Sequence, residues 1–412
     1  MTPKAARAAW GGVAVALLAL AAARAPAAEP SPPSNQDCLT CHEDPTLQRS
    51  DGRPLRPALE RFPSSVHGQA GVSCVDCHAD LVRTTEFPHA ERLAPAQCAS
   101  CHAGAVEEYG QGVHAQARLA RPGSPAANCT DCHGTHDILP SRDRAARTYH
   151  LNLPATCGAC HGNPETIARG GIRIGNVLSA YQDSIHGRAL AKSGLTVAPN
   201  CNSCHGHHDI RRASDPKSPV AHASVPVTCG RCHAGIQAAY ATSVHAQAAA
   251  TGGGAVCSDC HSAHGIQAAG VPGWRLEVIK ECGTCHAQSV RTYRDGFHGQ
   301  ATALGFVRMA ACVDCHAAHE IRRVSDPASR VNAANRVATC ARCHPGANQR
   351  FVQYDPHADP HDRNRNRPVY YTALFMKTLL AGVFGFFCVH TALWFPRSFR
   401  ERRRARTHGQ PR

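Results

Sequence analysis

Two long apolar runs stand out against an otherwise mixed chain, one close to each end. The first, AAWGGVAVALLALAAA, follows Lys4 and Arg7 and ends near Ala23. Small residues come next, and Ala25-Pro26-Ala27 has the form of a cleavage site. This is the pattern of a secretory signal, assigned to residues 1–27, with an uncleaved anchor as the alternative. The second run lies in ALFMKTLLAGVFGFFCVHTALWF, where Thr378 to Phe395 carries no Lys, Arg, Asp or Glu. A helix of that length crosses a bilayer with help from its flanks. Trp394, Tyr370 and Tyr371 suit the interfaces, Lys377 can snorkel, and the cationic stretch RSFRERRRAR follows. By the positive-inside rule that end faces the cytoplasm. The expectation is a membrane helix over 372–396, between a juxtamembrane linker at 363–371 and a basic cytoplasmic tail at 397–412. A buried helix of a soluble fold is the alternative.

Between these runs, at 28–362, the pattern predicts sparse regular structure. Short helices are expected near the motifs described below, for example at 164–169 and 236–250, with Gly- and Pro-rich loops elsewhere. Aromatic residues are only 5% of the chain and there are 3 Met, against 34 Gly and 28 Pro. Such a chain has few large side chains to bury. It has instead 23 Cys and 28 His, so something other than Leu and Phe must fill the interior.

The cysteines explain what does. The pattern C-x-x-C-H occurs eleven times, at Cys38 and Cys41, Cys74 and Cys77, Cys98 and Cys101, Cys129 and Cys132, Cys157 and Cys160, Cys201 and Cys204, Cys229 and Cys232, Cys257 and Cys260, Cys282 and Cys285, Cys312 and Cys315, and Cys340 and Cys343. Only Cys388 is left over. Two thiols three residues apart can form thioethers to the two vinyl groups of one haem. The adjacent histidine, here His42, His78, His102, His133, His161, His205, His233, His261, His286, His316 or His344, then lies under the iron as proximal ligand. A single such motif could be a redox dithiol or half a zinc site. Zinc would need a fourth ligand at every site, and disulfides would not require a His after each second Cys. Eleven covalent c-haems are expected.

The second axial ligands are also in supply. Met is nearly excluded, since Met1 lies in the leader, Met376 in the apolar tail, and only Met309 remains. The chain repeats a unit, S-x-H-G-x-A, a loop, then C-x-D-C-H-x-x-H, in five copies at 65–78, 112–138, 184–212, 243–266 and 297–323, with a plainer C-x-x-C-H between copies. His67, His114, His186, His245 and His298 hold one place in it, and His136, His208, His264 and His319 hold the C-H-x-x-H place. The first copy lacks that last residue, and His89 can substitute. His357 or His361 is expected to serve the last motif. This set matches the number of haems, although His150, His207 and His222 are also available. Histidines three apart share one face of a helical turn. The second is too close in sequence to reach the far side of its own motif's haem, so it should ligate a neighbouring one. Bis-His irons without Met are expected to have low potentials and closed, low-spin coordination. Folding should then depend on haem attachment.

Charge adds little. The formal net charge is +14, with 44 Lys and Arg against 30 Asp and Glu. Two propionates per haem would offset it, so it is no argument for nucleic acid, and no nucleic-acid partner is expected.

The fold class that follows is mostly irregular with short α-helices, built from two-haem repeats, with one C-terminal transmembrane helix. The motifs C-x-D-C-H-x-x-H and S-x-H-G, with CHADLVRTTEFPH at 77–89, resemble periplasmic multihaem cytochromes of the c3 and decahaem type over roughly residues 38–344. The resemblance implies a chain of bis-His haems that relays electrons between an inner-membrane quinol-oxidising or b-type cytochrome partner and periplasmic redox proteins or extracellular acceptors. Eleven motifs exceed ten, and a C-terminal anchor does not suit a chain threaded through an outer-membrane porin. The location expected is the inner membrane, single-pass, with the haem region in the periplasm. The alternative function is a reductase of a small oxyanion such as nitrite or tetrathionate, which needs one open iron. Every motif ends in His and histidines are in excess, so an electron carrier rather than an enzyme is expected. His390 and Cys388 lie inside the apolar run; His390 is read as packing against a partner, with a b-haem or quinone contact as the alternative.

Overall fold

The computed structural model describes residues 31–407 except 55–58 and 173, together with Gly409. The leader at 1–27 lies outside the described residues. Among these, short α-helices and 3-10 turns are joined by irregular loops; there is no strand, only one bridge between Gln48 and Pro54. The chain divides into two units. One comprises residues up to 63 together with 67–98, the other 64–66 together with 99–412.

Each C-x-D-C-H motif is a one-turn helix with a defined start. In helix Cys129–His133, the Asn128 side chain accepts from the Thr130 and Asp131 N–H groups, and the Asn128 N–H donates to Asp131 Oδ2 at 2.8 Å. Asp76, Asp259 and Asp314 receive the corresponding backbone N–H at 2.7, 2.7 and 2.8 Å, and Ser203 at 3.2 Å. The Asp in the motif is thus a capping residue, and it satisfies an N–H that a helix this short would otherwise leave exposed. Just past the motif histidine the backbone turns sharply, with φ of 90° at Gly134, 83° at Gly206, 61° at Ser262 and 69° at Ala317.

A second device joins one copy of the repeat to the next. Helix Val113–Ala120 starts with the Val113 N–H donating to the Ile210 carbonyl at 2.7 Å. The bonds Val66 to Ile138, Ile185 to Ile266 and Val244 to Ile321 repeat it at 2.8–2.9 Å. In four of the five copies, five residues before the S-x-H histidine, a tyrosine pins the loop ahead of its haem motif; the first copy has Phe62 there. Tyr109 donates to Ala127 O, Tyr181 to Pro199 O, Tyr240 to Ala255 O and Tyr293 to Ala310 O, at 2.8–3.0 Å. Each copy therefore leans on its successor, as in a solenoid.

What lies buried is small: Ser65, Ser184, Ser218, Ser243, Asn200, Thr292 and Val256 are the largest fully buried side chains. The one apolar cluster among the described residues gathers Ile279, Val290, Tyr293 and Ala311. The helix expected at 164–169 is Pro164–Gly170. The one expected at 236–250 is two helices, Ala234–Ala241 and Val244–Ala249, because Ser243 leaves the helix, accepts from the Ala246 N–H at 3.1 Å and starts a new one.

The C-terminal helix runs unbroken over Arg367–Thr407. At 1.5 Å per residue its 41 residues span about 60 Å, twice a bilayer's hydrocarbon core. It takes in the end of the expected linker and most of the basic tail. Phe384, Phe387, Leu393 and Trp394 are all more than half exposed, so the apolar side chains have no protein cover. Arg403 lies over Phe399, and Lys377 Nζ lies 3.3 Å from His361 Nε2. His390 stacks on Phe386 one turn away.

Candidate haem-binding sites

No disulfide links any cysteine, and the motif thiols are at least partly exposed. They meet in pairs across neighbouring motifs. The Cys157 thiol donates to Cys201, which pushes Cys157 well up and Cys201 down to about 7. Cys257 likewise donates to Cys229, and Cys282 to Cys312. Burial and the neighbouring Cys38 push Cys74 up to about 11. On haem attachment these thiols become thioethers, so the contacts mark where adjacent attachment points meet. The second cysteines extend the series: Cys132 lies within electrostatic reach of Cys160, Cys204 of Cys229, Cys260 of Cys282 and Cys315 of Cys340. From Cys129 to Cys343 each site thus neighbours the next in sequence order.

The histidines pair just as regularly. Each of nine motif histidines faces one other histidine, with ring centres 5.9–6.3 Å apart: His42 faces His89, His133 faces His208, His161 faces His114, His205 faces His264, His233 faces His186, His261 faces His319, His286 faces His245, His316 faces His357 and His344 faces His298. An imidazole nitrogen lies about 2 Å from a metal it ligates, and its ring centre roughly 1 Å further, so two imidazoles on opposite sides of one iron have centres roughly 6 Å apart. The residues present therefore fit covalent haem c with two imidazoles. Burial pushes His133, His161, His205 and His316 below the ordinary histidine range, and the facing imidazole adds to this at His133, His205 and His316. That favours the neutral ring a metal ligand must have.

Two rules generate eight of these pairs, and His42 with His89 stands outside them. The S-x-H histidine of a copy faces the plain motif that follows it. The C-H-x-x-H histidine faces the C-x-x-C-H histidine of the copy before. His67 sits in helix Val66–Gln69, His78 and His102 directly follow their motif cysteines, and His136 lies in the loop after helix Cys129–His133. These four hold the same repeat positions as the paired histidines.

One expectation is corrected. Neither His357 nor His361 faces the last motif: His344 already faces His298, and His357 faces His316. The backward rule requires this, because the segment at 354–361 stands where a sixth copy would supply its C-H-x-x-H histidine. His361 instead contacts Asp359 and Lys377.

The surplus histidines have other work. His207 lies beside Asn202 at 3.2 Å. Asn200, the cap of helix Cys201–His205, donates to His150 O at 2.8 Å, and His222 Nε2 lies 2.9 Å from Asp259 in the next haem helix. Arg275 reaches Asp314 at 2.6 Å. His150, His222 and Arg275 each stand seven residues before a plain motif, so this is one repeated latch onto the following capping residue. Neither this latch nor the pinning tyrosine was singled out from sequence, although the Tyr recurs at a fixed offset in four copies.

Residues 66–162, which carry four of the eleven motifs, match the sequence model of the cytochrome c3 family. No curated protein and no solved structure matches the chain.

Proposed function

Because the chain is a multihaem c-type cytochrome and acts in electron transfer, we propose that it is a membrane-anchored relay of eleven covalent c-haems, each held by two imidazoles. Haem c supplies reversible one-electron chemistry at potentials set largely by its axial ligands. The observation that carries the proposal is the unbroken order of neighbouring sites from Cys129 to Cys343. The chain's own residues position the sites. The capping Asp, or Ser203 in the third copy, fixes the C-x-x-C-H helix of each copy, a tyrosine fixes its approach in four of them, and the backward histidine ties a copy to the one before.

The helix Arg367–Thr407 is read as the anchor, in the inner membrane, with the basic tail cytoplasmic and the haem region periplasmic. His357 lies ten residues before the helix starts, and Lys377 of the helix touches His361. The site of His316 and His357 is therefore the one assigned to exchange electrons with a quinol-oxidising or b-type partner in the membrane. Periplasmic redox proteins are the partners proposed elsewhere on the chain. The test is electron paramagnetic resonance of the oxidised protein with carbon monoxide binding to the reduced form. A relay gives low-spin signals and no adduct. A stoichiometric high-spin haem that binds carbon monoxide and turns over nitrite or tetrathionate makes the chain a reductase instead.

A further inference from the structure

The residue immediately before the pinning tyrosine differs from copy to copy, and where it is polar it touches a candidate haem ligand. In the second copy it is Glu108, whose Oε2 lies 3.2 Å from His208 Nδ1. The approach is fixed by the backbone around it: Val113 N–H bonds Ile210 O at 2.7 Å, and Arg211 donates to Gln111. In the fifth copy it is Thr292, fully buried, with Oγ1 3.1 Å from His357 Nδ1, which also lies 3.1 Å from the Ser289 carbonyl. In the third and fourth copies the residue is Ala180 or Ala239, whose side chains have no polar atom. One backbone arrangement thus presents a carboxylate, two methyls and a hydroxyl at equivalent places.

We propose that Glu108 is a positioning residue which, through His208, makes the haem attached at Cys129 and Cys132 the lowest in potential of those served by His208, His264, His319 and His357. The inference rests on the reading above that His208 is that haem's distal ligand. With Nδ1 turned to the carboxylate, Nε2 is the nitrogen left for iron. A ligand imidazole that donates its other N–H to a carboxylate is fixed in tautomer and becomes a stronger donor, which favours the oxidised metal. Ala180 and Ala239 provide no such acceptor, and Thr292 provides a neutral one. The His208 and Glu108 side chains are 41% and 64% exposed, so solvent screens part of the effect.

The experiment is a spectroelectrochemical titration of the full chain bearing Glu108→Gln. One component at the low end of the curve should rise by about tenfold in its one-electron equilibrium constant, about 59 mV, while haem content and the low-spin spectrum stay those of the parent. A curve that superposes on the parent's overturns the inference. If E108Q does not mature with its full haem complement, Ala239→Glu decides: a component moved to lower potential supports the inference and an unmoved curve overturns it. His208→Ala separates the two readings. Loss of one low-spin haem upholds His208 as a ligand whatever E108Q shows, and a full low-spin complement removes the ligand assignment itself.

Discussion

His264 and His319 each follow a motif histidine by three residues, yet they face His205 and His261, which belong to the copies before their own. The cause is the turn after the motif. Positive φ with extended ψ at Gly134, Gly206, Ser262 and Ala317 swings the chain away from the helix that has just ended. His319→Ala should therefore change the haem attached at Cys257 and Cys260, and leave the one at Cys312 and Cys315 low-spin. Resonance spectra of H319A in which the Cys312 site is the one altered would contradict the backward rule. That conformation belongs to glycine, and elsewhere it costs of order 1–3 kcal/mol. Ser262 is exposed, so replacing it with glycine loses no packing, and glycine's own entropic penalty is only about 0.5–1 kcal/mol. Ser262→Gly should stabilise the haem region by about 1 kcal/mol in chemical denaturation followed by haem absorbance; a destabilised variant would mean the turn is relaxed by other contacts.

The elements show what could be read from sequence and what could not. The motif cysteines and histidines were legible because haem attachment demands fixed spacing. That the C-H-x-x-H histidine turns away from its own motif was legible from its closeness to that motif, and it faces the histidine of another. The direction of that reach was not, since it depends on hydrogen bonds such as Val244 N–H to Ile321 O between residues far apart in sequence. The same gap explains the last motif, to which counting gave His357 or His361, whereas His357 stands where a further copy would supply its histidine and faces His316. The helix pair at 234–249 was read as one because Ser243 lies in an otherwise helical stretch, and only its cap bond to Ala246 N–H reveals the break. The tyrosine pins are elements of this kind, with one hydroxyl joining a helix to a haem loop. Tyr293 is 7% exposed and bonds the Ala310 carbonyl at 2.8 Å. Tyr293→Phe leaves that carbonyl without its donor and should cost about 1–2 kcal/mol, seen as a lowered thermal midpoint with the haem count unchanged. An unchanged midpoint would show that the loop holds without the pin.

For the whole molecule the question is what stands in place of a core. Fully buried side chains are mostly Ser, Thr, Asn and Val, and the apolar cluster around Ile279 and Tyr293 is a single small patch. Burial at about 25 cal/mol per Å² of apolar surface needs large groups, and the macrocycles are the large groups that the chain's cysteines and histidines are arranged to hold. The paired imidazoles, with ring centres about 6 Å apart, are set to hold such groups. The helix Arg367–Thr407 is separate in character, since its Phe, Leu and Trp side chains are exposed. Removing residues after Pro368 should thus release a haem region that stays in solution without detergent, with its low-spin spectrum intact. The intact mass of that soluble form then decides the haem number, because each attached haem adds one fixed increment to the polypeptide. Eleven increments are expected. A shortfall of one would identify a motif that is read by spacing but not filled, and fewer than ten would overturn the reading of every C-x-x-C-H as a haem site. If the truncated chain instead precipitates with all its haems attached, the helix covers apolar surface of the haem region and is more than an anchor.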